Sequence, residues 1–387
     1  MDQSLGMALT PEIQDDLQRG FHDVWELGAN FILGWRLSAD GVTVFHTPCH
    51  GISEIALRMP PLFSRKRHLV SDDEADQLMR LGIATARIPL ATPLAPDDET
   101  SRAIDAILRN YTVTYSECRA VSLFDIVNFS LNSAYDQIAQ LNFLSYCLNT
   151  AAKFCGEQGF PIELRTSTTG DGFYVWNRAE GFVADQALFL TTALAIAANN
   201  SLTGGDRPSR GVPKLRCGIG FGNHFEYHQV TGMNDEQREF IVGDVTIELS
   251  RLIAMALPEQ VLVSSYNRRI AEDELRVALG TDMVDTPTFI ALSQGFIGKA
   301  AGMKLPDAST IESVNAYLTG DRISDDEFTI KQYSVTDKHG ISHGCFNLKF
   351  NVEADTGTDI YVGLLDGDLE NFAARHMEKQ DIRVRIA

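Results

Sequence analysis

Two stretches of this 387-residue chain decide its fold: VSLFDIVNFS at Val121–Ser130 and TTGDGFYV at Thr168–Val175. Each joins an apolar run typical of a buried strand to one aspartate at the strand's polar end, Asp125 or Asp171. Carboxylate oxygens are hard ligands that suit Mg²⁺ or Mn²⁺, and two such ions can neutralise a triphosphate. The two stretches therefore predict a paired-metal site for a nucleoside triphosphate.

Strand and helix patterns continue outward from these stretches. A long strand is predicted at Thr112–Val127, followed by a helix with Ser130 as its N-cap and by a hairpin with its turn at Thr169–Gly172. Further predicted elements are a helix at Asp185–Asn199, a strand at Leu215–Phe221, a helix from Asp244 to Ala256 and a strand at Gln260–Ser264. This order predicts an α+β fold with a mixed or antiparallel sheet and packed helices.

The flanking regions carry weaker patterns. Thr10 and Pro11 predict the start of a helix, whereas 41–46 and 52–59 resemble strands. The segment PLATPLAPDDETS at Pro89–Ser101 predicts a linker. Later patterns predict a helix at Asn267–Leu279, strands at Thr329–Thr336, Cys345–Val352 and Asp359–Leu365, and a helix at Leu369–Met377. The expected organisation is a small N-terminal region at 1–88, the linker at 89–101, a catalytic domain at 102–352 and a C-terminal extension at 353–387.

Composition excludes several classes of partner. The net charge of −19 opposes non-specific binding to nucleic acid and to anionic membranes. No apolar run reaches the ~20 residues that a membrane span needs, and the start lacks the features of a signal peptide. The six cysteines have no CxxC spacing, which favours reduced thiols. We expect a cytoplasmic protein that binds neither nucleic acid nor membrane.

Four motifs in order carry a resemblance to a known family. FDIVNFS, TTGDGF, LRCGIGFG and FIVGDVTIELSRLIAMALPEQVLVSS resemble the successive motifs of class III nucleotidyl cyclases, across about residues 115–266. The resemblance implies a ferredoxin-like catalytic domain that works as a head-to-tail homodimer. It implies that Asp125 and Asp171, with the Ile126 carbonyl as a third ligand, hold two Mg²⁺ or Mn²⁺ ions. It also implies attack of the ribose 3′-oxygen on the α-phosphate with loss of pyrophosphate.

Other residues are expected to hold the triphosphate. The amides of Asn128, Phe129 and Ser130 are predicted at a helix N-terminus, which favours phosphate. Arg251 matches the family's transition-state arginine, which would stabilise charge on the α-phosphate. The family's asparagine four residues earlier is Ile247 here, so the ribose contact departs from the pattern. Lys338 is the candidate for the family's triphosphate-binding lysine, with Lys349 and Lys331 as alternatives.

The residues at the two purine-reading positions of the family are changed in this chain. Adenylyl cyclases carry Lys, and guanylyl cyclases Glu, at the position of Arg165. The second purine reader, an Asp or Cys, is replaced by Phe240. An arginine fork beside an aromatic wall suits a carbonyl-rich pyrimidine better than an amino-purine edge. The structural alternatives are that Arg165 is an ordinary strand residue and that Phe240 packs in a core.

This pattern of departures resembles the pyrimidine cyclases of bacterial anti-phage (Pycsar-type) signalling. The resemblance implies a uridylate cyclase that converts UTP to 3′,5′-cyclic UMP, which activates a separate effector. Cytidylate cyclase, acting on CTP, is the first alternative, and adenylyl cyclase is the second. A third alternative, of another class, is a degenerate cyclase fold that only binds nucleotide and regulates a partner.

Overall fold

The computed structural model describes residues 9–63, 65, 67–203, 210–230, 237–270, 272–321, 323, 327–357, 359–364, 369 and 380–385. The chain divides into two compact units. The first is Met1–Glu117 together with Asn223–Val242, and the second is Cys118–Gly222 together with Gly243–Ala387. The predicted linker at 89–101 therefore lies inside the first unit. Which functional domains these units represent stays a prediction.

The first unit packs helices on a small antiparallel sheet. Its strands, in spatial order, are β1 (Asn30–Ser38), β2 (Gly41–Pro48) and β3 (Ala84–Pro89). Its helices are α1 (Pro11–Trp25), α2 (Ile52–Arg58), α3 (Pro60–Phe63), α4 (Asp72–Arg80) and α5 (Asp98–Leu108). Helix α1 begins where the sequence predicts, because the Thr10 hydroxyl accepts the Ile13 N–H at 3.4 Å. Its apolar stripe joins a core that includes Trp35 and Ile104.

One predicted element in this unit is wrong. The segment at 52–59, predicted as a strand, is helix α2, and Pro60 follows its C-cap Met59. The predicted linker contains the start of helix α5. Asp97 is the N-cap, and its carboxylate accepts the Thr100 N–H at 2.7 Å. A proline-rich approach to an acidic helix start has the same composition as a linker, so composition alone does not separate the two.

A large mixed sheet organises the second unit. Its main path runs β16 (Gln380–Arg385), β13 (Glu327–Thr336), β14 (Ser342–Ala354), β9 (Val261–Ser264), β7 (Leu215–Val230), β4 (Val113–Ile126), β6 (Gly172–Asn177) and β5 (Leu164–Thr168). Strands β12 (Ile311–Leu318) and β15 (Asp359–Val362) pair with β14, and β10 (Asn267–Arg269) pairs separately with β11 (Met283–Asp285). In the first unit, β8 (Gln237–Val242) pairs with the part of β7 after Gly222. The helices are α6 (Ala134–Glu157), α7 (Phe182–Asn200), α8 (Asp244–Met255), α9 (Asp273–Leu279) and α10 (Thr286–Ile297).

The strand order confirms the predicted fold class. In chain order, β4, α6, β5, β6, α7 and β7 form a βαββαβ unit whose strands lie in the spatial order β7-β4-β6-β5. This is the ferredoxin-like arrangement. Helix α8 then crosses over so that β9 adds parallel to β7, and β14 pairs antiparallel with β9. The fold is α+β with a mixed sheet.

Some boundaries in this unit differ from the prediction. Helix α6 begins at Ala134, and Ser133 rather than Ser130 is its N-cap, with the Ser133 hydroxyl accepting the Asp136 N–H at 3.3 Å. The segment at 267–279 is strand β10 followed by helix α9, not one helix. Strands β13, β14 and β15 confirm the predicted late strands. The predicted helix at Leu369–Met377 lies, beyond Leu369, outside the described residues.

Helix α7 explains the longest apolar run in the sequence. It is long and apolar enough to cross a membrane, but 94% of that window is buried inside the structure. Residues on nearly its whole circumference are buried, which is the pattern of a central core helix. Among the helices of the described residues it is the one that meets this test.

Candidate active site

Asp125 lies at the C-terminal end of β4, next to an arginine from the neighbouring strand. Its carboxylate oxygen Oδ2 is 2.6 Å from Nε of Arg216 on β7, and its side chain is 13% exposed. Arg216 also donates from Nη1 to the Ala256 carbonyl at 3.3 Å. Arg216 thus neutralises the Asp125 carboxylate, and that carboxylate remains partly open to solvent.

Asp171 is held beside β4 by a turn that needs glycine. The turn joins β5 to β6, and Gly170 in it has a φ of 99°. Gly172 pairs with Asp125, and a Cβ at Gly172 would lie 1.9 Å from the Phe124 carbonyl oxygen. The Ile126 N–H donates to the Asp171 carbonyl at 2.9 Å. The TGDG pattern therefore brings the second aspartate against the end of the strand that carries the first.

The two carboxylates influence each other electrostatically. Burial raises the pKa of Asp125, the Arg216 guanidinium opposes this rise, and the negative charge of Asp171 adds to it. The Thr169 hydroxyl donates to the Asp171 carboxylate at 3.2 Å. The predicted metal residues Asp125 and Asp171 thus come together at one end of the sheet. With Arg216 we call them the carboxylate end.

The donor set at the carboxylate end fits a hard cation that keeps other ligands. In the described part of the chain, no group of three or more His, Cys, Asp or Glu side chains could hold a metal ion. Mg²⁺ is commonly bound through one or two carboxylates together with waters and substrate phosphates. Asp125, Asp171 and the Ile126 carbonyl could hold such ions, and the remaining ligands would come from the triphosphate and water.

The segment after Asp125 is a short turn of 3₁₀ helix rather than the start of α6. Asn128 has a left-handed backbone, with φ 58°, and Phe129–Leu131 form the 3₁₀ helix. The Leu131 N–H donates to the Asn128 carbonyl at 3.0 Å. The first amides of such a helix have no acceptor within it. The predicted phosphate amides of Asn128, Phe129 and Ser130 lie beside the carboxylate end, but not on a long helix dipole.

Arg251 and Lys338 meet at a different place, around Asp337. Nε of Arg251, on α8, lies 3.4 Å from Oδ2 of Asp337, in the turn between β13 and β14. Nε2 of His343 lies 3.5 Å from the same oxygen. Lys338 is exposed in this turn and has no ion pair with any residue that the structure describes. We call Arg251, Asp337, Lys338 and His343 the arginine end.

The alternative lysines are engaged elsewhere. Nζ of Lys331 is 2.6 Å from an Asp321 carboxylate oxygen, and Nζ of Lys349 is 5.3 Å from the ring centroid of Tyr361. Both therefore have interactions of their own, whereas Lys338 lies beside the turn that Arg251 contacts. Of the three lysines, Lys338 remains the strongest candidate for a triphosphate ligand.

The carboxylate end and the β14 part of the arginine end are far apart within one chain. Leu348 on β14 is level with Val261, which is level with Cys217, the residue after Arg216. His343 lies five residues before Leu348 along β14, a rise of roughly 16 Å, and three strand spacings of about 4.8 Å separate β14 from β4. His343, beside Asp337, is thus roughly 20 Å from the carboxylate end.

The two predicted base-reading residues have protein partners of their own. Arg165, on β5, is 2.5 Å from the Glu163 carboxylate and donates to the Leu164 carbonyl at 3.3 Å. Phe240, on β8, stacks on Tyr227 at 5.3 Å between ring centroids with 20° between the planes. Arg165 belongs to the second compact unit and Phe240 to the first. Their roles with a base stay predictions.

The glycines of LRCGIGFG serve helix packing. Gly218, Gly220 and Gly222 face α8, and a Cβ at any of them would lie 3.0–3.2 Å from Val245 or Leu249 side-chain atoms. Small residues on alternate positions of β7 therefore let α8 lie close against the sheet. This contact fixes the helix that carries Arg251, so the motif acts through packing.

Two site residues were missed from the sequence. Arg216 lies within the quoted LRCGIGFG motif, but its partner Asp125 is 91 residues away and only the strand register brings them together. Asp337 lies directly before Lys338, and its contact with Arg251 depends on how α8 crosses the sheet. The one feature of the sequence that could have identified Arg216 is its place at the polar end of a predicted strand, like that of Asp125.

No protein-family model and no curated protein matches the chain, but solved structures do. The guanylate cyclase domain of RhGC from Catenaria anguillulae in complex with GTP is similar over 60% of this chain and 97% of its own, at 15% identity and TM-score 0.33. The adenylyl cyclase CyaB from P. aeruginosa is similar over 61% of this chain and 95% of its own, at 12% identity and TM-score 0.32. TM-scores this far below one half do not establish a shared fold, so the fold assignment depends on the strand order.

Proposed function

We propose that this protein is a nucleotidyl cyclase with pyrimidine specificity, and that it converts UTP to 3′,5′-cyclic UMP and pyrophosphate. The observation that carries the proposal is the pair of carboxylates, Asp125 and Asp171, held together at one sheet end by the close approach of Gly172 to β4. The pKa of Asp125 responds to the charge of Asp171, as expected of two acids that face one cation site. The ordered cyclase-like motifs support the same activity.

The proposed enzyme is a homodimer with its active sites between subunits. His343, beside Asp337 at the arginine end, lies roughly 20 Å from the carboxylate end of the same chain, which supports a site in which Arg251 and Lys338 serve a second copy. A head-to-tail second copy would bring its arginine end to the first copy's carboxylate end. Each of the two sites would then contain carboxylates from one subunit and cations from the other.

The residues have distinct proposed tasks in the reaction. When bound, two Mg²⁺ or Mn²⁺ ions would neutralise the triphosphate and make the 3′-hydroxyl easier to deprotonate. Asp125 and Asp171 would hold the ions, and Arg216 would exchange its contact with Asp125 for phosphate oxygens. Arg251 of the partner subunit donates to the α-phosphate oxygens as their charge develops. Lys338 of the partner subunit binds the outer phosphates.

The bond changes are those of an in-line displacement. The ribose 3′-oxygen loses its proton to water and forms a bond to the α-phosphorus. The bond between the α-phosphorus and the bridging oxygen breaks, and pyrophosphate leaves with the electron pair. The amides of Phe129 and Ser130, at the start of the 3₁₀ helix, are available to phosphate oxygens because they have no acceptor within it.

Base selection is proposed to depend on Arg165 and Phe240. The guanidinium of Arg165 offers donors that suit the carbonyl oxygens of uracil, and it would exchange its Glu163 contact for the base. The Phe240 ring, stacked on Tyr227, offers a flat face for a base. CTP is the alternative substrate, because the donors of Arg165 also suit the O2 carbonyl that cytosine shares with uracil.

The proposed cellular role rests on the resemblance of the sequence to pyrimidine cyclases of anti-phage signalling. A soluble cyclase that releases cyclic UMP needs no contact with its effector, so we propose a cytoplasmic signal-producing enzyme of an anti-phage system. The experiment that tests the activity is incubation with each of the four nucleoside triphosphates and Mg²⁺ or Mn²⁺, with cyclic products separated by mass spectrometry. Cyclic UMP as the main product supports the proposal, and absence of any cyclic nucleotide refutes it.

A specific prediction tests base selection. Arg165→Ala is expected to lower the preference for UTP over ATP by about ten-fold or more, because a lost charged hydrogen bond is worth 1.5–3 kcal/mol. Arg178→Ala is the matched control, since Arg178 is also within 3.5 Å of Glu163. The kcat/KM ratio for UTP and ATP measures both. An unchanged ratio in Arg165→Ala would remove this residue from base recognition.

One observation favours a second candidate, a nucleotide-binding regulator without turnover. Ile247, at the position of the family's ribose-contacting asparagine, is 55% exposed and apolar. If the four-nucleotide assay gives no product, equilibrium binding of UTP by calorimetry separates this regulator from a protein that binds no nucleotide. Measured UTP binding without turnover would establish the regulator.

A further inference from the structure

The two carboxylate oxygens of Asp337, at the arginine end, contact different kinds of groups. Oδ1 accepts the His339 N–H at 2.8 Å and the Ile341 N–H at 3.0 Å. The Asp337 N–H in turn donates to the Ile341 carbonyl at 2.9 Å, which closes the turn. Lys338 is inside this turn. The oxygen Oδ1 therefore fixes the backbone that presents Lys338.

The other oxygen faces two buried nitrogens. Oδ2 lies 3.4 Å from Nε of Arg251 and 3.5 Å from Nε2 of His343. Both nitrogens are buried and neither has a hydrogen-bond partner within the described part of the protein. The Asp337 side chain is only 5% exposed, so water does not compete strongly for Oδ2. A small movement of Arg251 toward Asp337 would turn the contact into a charged hydrogen bond.

The charge state of Asp337 suits a contact with the Arg251 guanidinium. The Ile341 N–H, followed by the His339 N–H, holds the pKa of Asp337 below its usual range, so the carboxylate is ionised at neutral pH. A fixed negative charge beside an arginine restricts the guanidinium without removing its remaining donors, because a guanidinium has five N–H groups. The Nη groups of Arg251 are then left to point at a substrate.

We propose that Asp337 is a positioning residue that orients Arg251 and fixes the Lys338 turn at the same time. The inference rests on the proposed cyclase function and deepens it. One buried carboxylate would thereby couple the two cations that the partner's substrate needs. Loss of its charge should free Arg251 while the turn survives, since an asparagine oxygen can still accept the His339 and Ile341 amides.

The test is a double-mutant cycle with Asp337→Asn and Arg251→Ala. Asp337→Asn alone is expected to lower kcat about 10- to 100-fold with KM for UTP changed less than about three-fold. In the Arg251→Ala background the same substitution should have no further effect, because its route to the substrate is gone. Equal losses of kcat in both backgrounds would overturn the proposal, as would an unchanged kcat in Asp337→Asn.

A matched control separates positioning from turn stability. Asp307 also caps its own turn, with its Oδ1 accepting the Ser309 N–H at 3.0 Å, and it has no ion pair among the described residues. Asp307→Asn is therefore expected to leave kcat unchanged. A comparable kcat loss in Asp307→Asn would mean that turn capping, not orientation of Arg251, explains the Asp337 result, and would overturn the proposal.

A second readout does not depend on activity. In ¹⁵N-labelled protein the Nε–H signal of Arg251, identified by its absence in Arg251→Ala, is expected to be sharp and slow to exchange. In Asp337→Asn it should broaden and exchange faster. An unchanged signal overturns the positioning role even if the wild-type protein is inactive. Wild-type inactivity with all four triphosphates refutes the cyclase proposal instead, so the two failures are distinguishable.

Discussion

The carboxylate end and the arginine end of the large sheet hold opposite charge surpluses. At the carboxylate end, Arg216 pairs with Asp125, and Asp171 lies beside them. At the arginine end, Arg251 faces one carboxylate, Asp337, and Lys338 lies in the same turn without an ion pair to a described residue. Among the residues that the structure describes, these charges leave a negative excess at the carboxylate end and a positive excess at the arginine end. These opposite excesses fit the proposal that a second copy completes each site.

The two ends are also built differently. Asp171 is placed by backbone, through a glycine turn against β4, and has little freedom to move. Arg251 is placed by a side-chain contact at 3.4 Å, on a helix packed over glycines of β7. Under the proposed function, carboxylates that share cations need fixed spacing, and backbone placement provides it. The proposed arginine needs an orienting partner, and its contact with Asp337 provides one.

The strongest way to break the comparison is subunit complementation. Asp171→Asn and Arg251→Ala homodimers should each lose nearly all turnover, because every site lacks a metal ligand or the phosphate-binding arginine. When the two variants are co-expressed, the preparation should regain about a quarter of wild-type activity. Half of the dimers then contain one subunit of each variant, and each such dimer has one intact site. Cyclic UMP formation measures this recovery.

The control for complementation is a mixture that cannot form an intact site. Asp171→Asn with Asp125→Asn places both defects at the carboxylate end, so its mixed dimers have a damaged site on each side. This mixture should stay inactive. Recovery there, or none in the first mixture despite proven mixed dimers, would show that the two ends do not meet across subunits.

The turn at the carboxylate end offers the next largest effect. Gly172→Ala would put a Cβ against the Phe124 carbonyl oxygen, so β4 and β6 must separate where Asp125 and Asp171 meet. A displacement of about 1 Å at a reacting site can cost about 10²-fold in rate, and we expect a fall in kcat of at least that size. Steady-state kinetics with saturating Mn²⁺ measures it.

Two further glycines separate strain from position. Gly170 and Gly159 both have positive φ, at 99° and 79°, and a Cβ at either would meet nothing within 4 Å. Alanine at each should therefore cost about 1 kcal/mol of stability for the left-handed backbone. Only Gly170→Ala should also lower activity, because only Gly170 is next to Asp171. Equal activity in the two variants would contradict the importance of this turn.

The sequence predicted the carboxylate end because its information is local. The apolar run before Asp125 and the TGDG turn around Asp171 each specify their own strand or turn, and the order of the motifs in the family resemblance predicted that the two aspartates meet. Arg216 could not be predicted, because its contact depends on the register between β4 and β7. The arginine end was predicted only as separate residues, Arg251 and Lys338, since Asp337 joins them through tertiary packing.

Helix starts show the same limit. Ser130 and Ser133 are both good N-cap residues three positions apart, and the choice depends on the 3₁₀ turn at Phe129–Leu131, which local propensity does not specify. Asp97 was assigned to a linker because prolines precede it, yet the buried side chains of Ile104 and Leu108 hold that helix in a core. Burial, which no short window of sequence contains, decided the second case.

The smallest predicted effect concerns Glu248, which lies three residues before Arg251 on α8. Burial, with the charge of Asp244, raises the pKa of Glu248 to about 7. The folded protein thus keeps a proton that the unfolded chain releases near pH 4.3. The stability that this proton contributes is therefore fully present below about pH 4.3 and falls as pH rises toward 7, by about 4 kcal/mol at most.

Glu248→Gln should remove this pH dependence of stability. It thereby tests the charge that the arginine end carries in the comparison with the carboxylate end. The variant should match wild type in urea unfolding near pH 4.5 and exceed it by about 1–3 kcal/mol at pH 8, because the buried charge no longer forms. Glu274→Gln, an exposed position on α9, should change neither value. Below pH 7 a neutral Glu248 adds no negative charge beside Arg251 and Lys338. An ionised Glu248 would cancel part of their positive charge. If the stabilities of Glu248→Gln and wild type change in parallel between these pH values, Glu248 is ionised throughout this range. The arginine end then carries less positive charge than the proposed pairing with the carboxylate end requires.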